Sequence, residues 1–356
     1  MTAAGLRGGL YAPAAPLRRP PLLSVVFSFR NEAEVLGELI RRMRETLAPL
    51  RASGRLAGWE LLFVDDDSTD RSRDVLLAHA AAEGDIRIIT MSRNFGTAPC
   101  VLAGLELSRG DLVVYMDADL QDPPELIPRL LSAWESEPDV DVVHTIRVRR
   151  DGESWAKLVI TRIGYAVLRR VATVDLPIEA GDFKLLSRRA VDLLVEFREK
   201  RPFTRGLVCW IGLRQLRVPY HREARFGGRT KFPLLGGKVI QNFLDSAVIS
   251  FSDVPLKLAM ALGLVISMLA LVLMAWIVVH GLGGHGLPGQ AVGFAALLCL
   301  GGVQLVFIGV LGLYVSSIFV ETKRRPNYIV RETFGFPETA GERADAPGGV
   351  PGPRRE

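Results

Sequence analysis

No Asp, Glu, Lys or Arg occurs between Lys257 and Glu321. A soluble fold cannot easily carry such a gap, because each helix or strand needs a polar outer face. Elsewhere the chain is densely charged: over its 356 residues, 23% are charged, 49% are hydrophobic and mean hydropathy is +0.22. Charge and apolarity therefore occupy separate regions. That separation excludes a simple soluble enzyme, a disordered chain and a polytopic transporter.

Within the gap, Leu258–Val279 is long enough to span a bilayer, and so is a window within Val292–Val320. The loop between them, Gly281–Gly289, has no Lys or Arg, whereas the outer flanks carry Lys257 and Lys323, Arg324 and Arg325. The positive-inside rule then predicts a two-helix transmembrane hairpin over 257–321, with the N-terminal domain and both termini cytoplasmic. Gln304 would hydrogen-bond across the helices, and Gly301, Gly302, Gly309 and Gly312 would let a homo-oligomer pack closely through them. Upstream, residues 233–256 set Leu235, Val239, Ile240, Phe243, Leu244 and Val248 among Lys238, Gln241, Asn242 and Asp245. That spacing suits an amphipathic segment in the membrane interface; a soluble core helix is the alternative.

Residues 1–21 read as a flexible cationic arm without the apolar run of a signal peptide, and the Pro/Gly/Ala-rich chain from about Phe336 as a disordered end to a cytoplasmic tail over 322–356. Between arm and membrane, residues 22–232 form the expected α/β domain. Leu23–Ser28, Trp59–Val64, Ile86–Met91, Leu112–Met116 and Val140–Thr145 read as strands. Helical periodicity fills the intervals: Asn31 caps a helix with Val35, Leu36, Leu39, Ile40, Met43 and Leu47 on one face, and others follow near 72–82, 99–107 and 124–134. An amphipathic helix is expected over 153–172 and another from about Arg188. Repeating strand–helix units predict an α/β fold with a mostly parallel sheet covered by helices.

Three cysteines, Cys100, Cys209 and Cys299, lie far apart without metal-ligand spacing, so neither a disulfide framework nor a zinc site is expected. The net charge of +5 favours phosphate-bearing substrates or an anionic membrane surface. Nucleic acid is not favoured, since no module for it appears. The positive charge concentrates at Arg147, Arg149 and Arg150 and again between Arg198 and Lys231.

Both acidic clusters follow predicted strands, where open α/β sheets place their ligands. Asp117-Ala118-Asp119 can bring two carboxylates to one hard cation, Mg²⁺ or Mn²⁺, with Gln121 adding a neutral oxygen. Alternatively it is a solvated acidic turn. Asp65-Asp66-Asp67-Ser68 can accept hydrogen bonds from a ribose or base; helix capping accounts equally well for Asp67, Ser68 and Asp70.

These segments resemble the polyprenyl-phosphate hexosyltransferases of the family-2 glycosyltransferases, which include dolichol-phosphate mannose synthases and bacterial bactoprenol glucosyltransferases. The resemblance runs from about Ser24 to Val330. It rests on Phe29–Glu32, Val64–Ser68, Ser92-Arg93-Asn94-Phe95-Gly96, Met116–Glu125, Gly181–Leu185, Arg205-Gly206, Gly228–Lys231 and Lys323–Pro326. It implies a GT-A fold, a mixed and mostly parallel sheet with flanking helices. It also implies inverting, metal-dependent transfer of a hexose from a nucleotide sugar to a polyprenyl phosphate. UDP-glucose is the first candidate donor, with GDP-mannose and modified UDP-sugars as alternatives.

By matched position the resemblance assigns Asn31, Glu32 and Asp65 or Asp66 to the nucleoside. It assigns Asp117, Asp119 and Gln121, with the Ala118 backbone between them, to metal and diphosphate. Arg147, Arg225 and Lys231 would contact phosphates, Asp182 would face the reacting sugar and acceptor, and Arg205 would meet the acceptor phosphate. Four departures stand out: Arg30 within Ser28–Glu32, where Pro-Val-Tyr-Asn-Glu is usual; Asp67 for Gly; Lys184 for Arg; and Leu313 where bacterial relatives often carry Glu. A processive polysaccharide synthase would need more spans and a Gln-x-x-Arg-Trp segment, both missing from this sequence; a non-enzymatic nucleotide-binding scaffold is the other reading.

Overall fold

Apolar strands and amphipathic helices assemble an eight-stranded sheet in the computed structural model, which describes residues 19–147, 180–197, 199–200, 202–220, 261–266, 289–336 and isolated positions between 268 and 279. The first half is a run of strand–helix units: β1 (Leu22–Phe29), α1 (Ala33–Ala52), β2 (Gly58–Asp65), α2 (Ser72–Glu83), β3 (Ile86–Met91), α3 (Thr97–Leu107) and β4 (Leu112–Asp117). A 3-10 turn, Pro124–Leu126, leads into α4 (Ile127–Ser136) and then β5 (Val142–Arg147). Further on come β6 (Ala180–Ser187), α5 (Arg188–Glu196), α6 (Thr204–Trp210), β7 (Gln215–Tyr220), α7 (Gly289–Thr322) and β8 (Val330–Phe334). The helices expected over 153–172 and 234–250 lie outside the described residues.

Strand order is β7-β5-β6-β4-β1-β2-β3-β8. β1 to β4 run parallel, β5 pairs parallel with β7, and β6 and β8 run antiparallel to their neighbours. The carboxyl ends of the parallel strands and the amino ends of β6 and β8 therefore share one edge of the sheet. The chain leaves β1 toward β2 and later returns past it to β4, so the crevice between β1 and β4 is a topological switch point. This is the mixed, mostly parallel GT-A-like sheet with flanking helices that the resemblance implied.

Side chains alternate between two cores, as the pleat requires. Leu23, Val25, Phe27 and Phe29 face α1, α2 and α4, with Phe27 stacked on Phe63 at 4.7 Å between ring centroids. Val26, Val64 and Tyr115 face α3, α5 and α6. All six residues of the expected apolar face of α1 are buried. Burying each contributes about 1.5–3 kcal/mol, so packing, more than local propensity, holds this helix. Gly104 lets α3 lie flat on β1, where a Cβ would collide with the Val26 side chain.

Two local expectations change. Asn31 does not cap α1: Glu32 occupies the N-cap position without a side-chain cap, and the carboxylate of Asp70 accepts instead from the Ala33 amide at 3.2 Å. The segment after the apolar region, read only as tail, supplies β8, which pairs with β3 through Ile88↔Phe334, Ile89↔Thr333 and Thr90↔Glu332. α7 contains one stretch, Leu300–Thr322, long and apolar enough to cross a membrane, with none of that stretch buried by the rest of the protein.

Candidate active site

The first two loops at this edge are tied to each other. The Asn31 carboxamide accepts from the Thr69 amide at 2.7 Å, and the Asn31 amide donates to Ser68 Oγ at 2.9 Å, so the loops after β1 and β2 move as one. The Glu32 amide donates to Ser72 Oγ at 3.0 Å, and the residue is buried. Asp65 is buried and accepts from the Ser68 amide at 2.9 Å. Burial raises its pKa, an effect the Ser68 hydrogen bonds oppose. Asp66 turns to the loop after β3, accepting from the Phe95 amide at 2.6 Å and the Gly96 amide at 2.9 Å. Asn94 completes that corner: it donates to Asp66 at 3.3 Å and accepts from Arg30 Nε at 3.2 Å. Gly96, at φ +95, adopts a backbone that other residues avoid. The Ser92–Gly96 motif is therefore a loop folded around the Asp66 carboxylate.

The second group gathers at β4 and β6. β4 and β6 pair antiparallel from Leu112↔Ser187 to Tyr115↔Lys184. Two residues further in that register, Asp117 stands across from Asp182. Ala118 packs into the core, so it offers only its backbone. Asp119 is largely buried and accepts from the Gln121 amide at 3.2 Å, across a turn in which Leu120 takes φ +56. A buried leucine in the left-handed region is costly, and such strain concentrates where side chains must be aimed. Arg205, in the first turn of α6, grips Asp182 with both arms of its guanidinium, Nε to Oδ1 at 2.7 Å and Nη2 to Oδ2. The residues expected at the sugar and at the acceptor phosphate are thus bonded to each other.

A third cluster joins Arg147 to two residues that sequence reasoning missed, Asp122 and Tyr220. Asp122 is fully buried just after the Asp117–Asp119 turn and accepts from the Tyr220 hydroxyl, which in turn accepts from Arg147 Nε at 3.1 Å. Arg147 lies close against Gly181, where a Cβ would stand 2.9 Å from its Nη2. Lys184 is fully buried; its ammonium donates to the Gly181 carbonyl at 2.6 Å and lies over the Tyr115 ring. Burial pushes its pKa down to about 8, against the pull of Asp182. These groups fix the backbone on either side of Asp182. Arg225 and Lys231 lie outside the described residues.

Charge is unevenly distributed across this edge. Burial, then Asp182, Asp119 and Asp122, push the Asp117 carboxyl up to about 7. Asp182 goes the other way: burial would raise it, but the charge and hydrogen bonds of Arg205 outweigh that and hold it below the usual carboxylate range. At Asp117 the surrounding carboxylates therefore outweigh the Arg205 cation. Among the described residues no group of three or more His, Cys, Asp and Glu side chains forms a closed metal cage. Two carboxylates with open positions fit a hard divalent cation that takes its remaining ligands from water and substrate phosphates.

Comparison with known proteins gives the same direction. The description "Glycosyl transferase family 2" matches residues 24–194, from β1 into α5. An uncharacterized glycosyltransferase of Synechocystis sp. is 36% identical over 315 residues, 88% of this chain and 96% of that protein. The bactoprenol glucosyl transferase of Shigella phage SfX is 31% identical over 312 residues, 87% of this chain and 98% of that protein. A prophage bactoprenol glucosyl transferase homolog of Escherichia coli K12 is 32% identical over 273 residues, 76% and 88% of the two chains. With its acidic strand ends gathered at the switch point of an α/β sheet and relatives aligned along nearly their whole lengths, the chain belongs to the family 2 glycosyl transferases.

Proposed function

We propose that this glycosyltransferase moves a hexose from a nucleotide sugar, with UDP-glucose the first candidate, to a polyprenyl phosphate such as undecaprenyl phosphate at the cytoplasmic face of a membrane. The observation that carries this reading is the facing of two charge systems across β4 and β6. Asp117 and Asp119 stand on one side and the Asp182–Arg205 pair, with Arg147 nearby, on the other. One side suits a metal-bound diphosphate and the other a second phosphate. The bactoprenol glucosyl transferase relatives support a lipid-phosphate acceptor and glucose.

In the reaction, an oxygen of the acceptor phosphate forms a bond to the anomeric carbon while the bond from that carbon to the donor diphosphate breaks. The nucleoside diphosphate leaves with the electron pair, and configuration inverts. The acceptor phosphate is already ionised, so no strong general base is needed, and positioning with charge stabilisation supplies the catalysis. Asp182 fits that economy: a carboxylate held ionised by Arg205 accepts protons poorly, so it orients Arg205 and the acceptor. Asp65 and Glu32 would meet the nucleoside, and Arg147, with Arg225 and Lys231, the phosphates. Asp117 and Asp119, with Gln121, would hold Mg²⁺ or Mn²⁺, whose charge offsets that building on the diphosphate.

The membrane arrangement completes the reading. A polyprenyl chain stays in the bilayer, so a site that uses it belongs at the interface. Leu300–Thr322 supplies one span. The helical residues 261–266 supply part of a second: a Cβ at Gly263 would stand 3.3 Å from the Phe307 ring, which supports two apolar helices side by side. With Lys323, Arg324 and Arg325 at the far end, both flanks belong in the cytoplasm.

The test supplies membranes carrying the full chain with undecaprenyl phosphate and a panel of radiolabelled nucleotide sugars. Label entering a chloroform-soluble lipid from UDP-glucose alone is the expected result. Label from GDP-mannose alone makes the protein a mannose synthase. No lipid label from any donor overturns the acceptor assignment.

A further inference from the structure

The strand after the membrane helix reaches the donor end of the sheet. Because β8 runs antiparallel to β3, its first residues sit at the edge where β1, β2 and β4 end. The chain is pinned along the way. Glu321 accepts from the Lys200 amide at 2.7 Å, Asn327 donates to the Glu199 carbonyl at 2.8 Å, and the Ile329 carbonyl accepts from the Ser92 amide at 2.9 Å. β8 then brackets the loop between β2 and α2. Arg331 Nη1 lies 3.4 Å from Asp67 Oδ1 near the loop's start, and Glu332 pairs with Arg73 at 2.7 Å at its end.

Asp67 is the residue that needs holding. It takes φ +59, in the left-handed region, at a cost of about 1–2 kcal/mol for a residue with a Cβ. An exposed ion pair contributes about 0.2–1 kcal/mol, so the Arg331 contact offsets a sizeable part of that cost. Two residues before, Asp65 depends on this turn, since its carboxylate is held by the Ser68 amide on the turn's far side.

We propose that Arg331 is a positioning residue for the sugar donor: by holding Asp67 in its left-handed conformation it sets the Asp65 carboxylate toward the nucleoside. The strand that follows the membrane span is thereby part of the nucleotide-sugar site. This inference rests on the donor reading given above, and it explains how a sequence with Asp at a position where glycine would be strain-free still forms the turn.

The test uses the full-length chain in phospholipid–detergent micelles, with UDP-glucose and GDP-mannose as donors and undecaprenyl phosphate as acceptor. Arg331→Ala is expected to raise the donor KM about 1.4- to fivefold, with kcat and the lipid KM unchanged, as the loss of one exposed ion pair implies. Arg331→Lys restores most of the loss. In an Asp67→Gly background, Arg331→Ala has no further effect, because glycine adopts the turn unaided. Hydrogen exchange without nucleotide supplies a second readout: the Ser68 and Thr69 amides exchange faster in Arg331→Ala but not in the double variant. An unchanged donor KM, an equal loss in the Asp67→Gly background, or a fall in kcat alone overturns the proposal. If the unaltered protein uses neither donor, the donor reading fails and exchange alone decides: faster exchange that Asp67→Gly abolishes upholds the positioning role, and unchanged exchange refutes it.

Discussion

At the scale of single residues, the site is a place where carboxylates are forced together. Asp117 is pushed up to about 7 because it is buried and faces Asp182, Asp119 and Asp122. Asp117→Asn and Asp119→Asn should each lower sugar transfer by about 10²-fold or more. Asp117→Asn should not lower the melting temperature, since it relieves like-charge crowding. A variant that melts normally and transfers at the original rate would remove that residue from the site. Chelation by EDTA should stop transfer, and Mg²⁺ or Mn²⁺ should restore it.

His144 makes a separate residue-scale prediction. It is buried on β5, with Nε2 donating to Gln215 at 2.7 Å, and burial, then the charge of Lys184, push its pKa down to about 4. Between the unfolded value near 6.5 and about 4, the unfolded chain takes up a proton that the fold refuses. Stability contributed by the neutral ring is therefore complete above about pH 6.5 and is lost as pH falls toward 4. Thermal melts across that window should show His144→Gln flattening the decline; parallel curves for the two proteins would discard this account.

At the scale of elements, helix–sheet contact depends on small spaces. Gly104→Ala should cost about 1–3 kcal/mol, because the added methyl meets Val26 on a strand buried on both faces. Chemical denaturation read by circular dichroism measures it, and an unchanged midpoint would show that α3 can shift. Elements with strong periodicity were legible in the sequence: β1 to β5 and α1 to α5 lie where alternating or 3.6-residue apolar patterns placed them. β7, α6 and β8 were not, for physical reasons. β7 runs Gln-Leu-Arg-Val-Pro-Tyr and lies at the end of the sheet, so it needs only half an apolar pattern. β8 has mostly exposed side chains and is held by backbone pairing. The site was legible where residue types cluster in sequence, as at Asp65–Asp67 and Asp117–Asp119. It was not where tertiary contact creates it, as with Asp122 and Tyr220, which come from separate segments and meet beside Arg147. Lys184 shows the same limit from another side, since a lysine in a strand reads as surface and here is fully buried.

At the scale of the whole molecule, the sheet is not a unit that ends before the long apolar helix. Its last strand follows the apolar region, so the two parts are interlocked along the chain. Truncation after Arg325 should destabilise the sheet domain and not merely release a tail. It leaves β3 with an open edge, removes the cover over Ser92 and ends the Arg331 contact with Asp67. Expected outcomes are a lower melting temperature and a greater tendency to aggregate, measured against a truncation after Phe336 that keeps β8. Equal behaviour of the two truncations would make β8 dispensable.

That interlocking also sets an order of events during biosynthesis. β3 leaves the ribosome early, but its partner β8 is made only after more than two hundred further residues, a delay on the order of tens of seconds at ordinary rates of translation. By then the whole of Gly289–Thr322 has been made ahead of it. The newborn protein thus passes through a stage at which its long apolar helix has been made while its sheet still lacks an edge. Closure of the β3 edge is therefore among the last steps of folding, so a chain cut short before Val330 keeps that edge open.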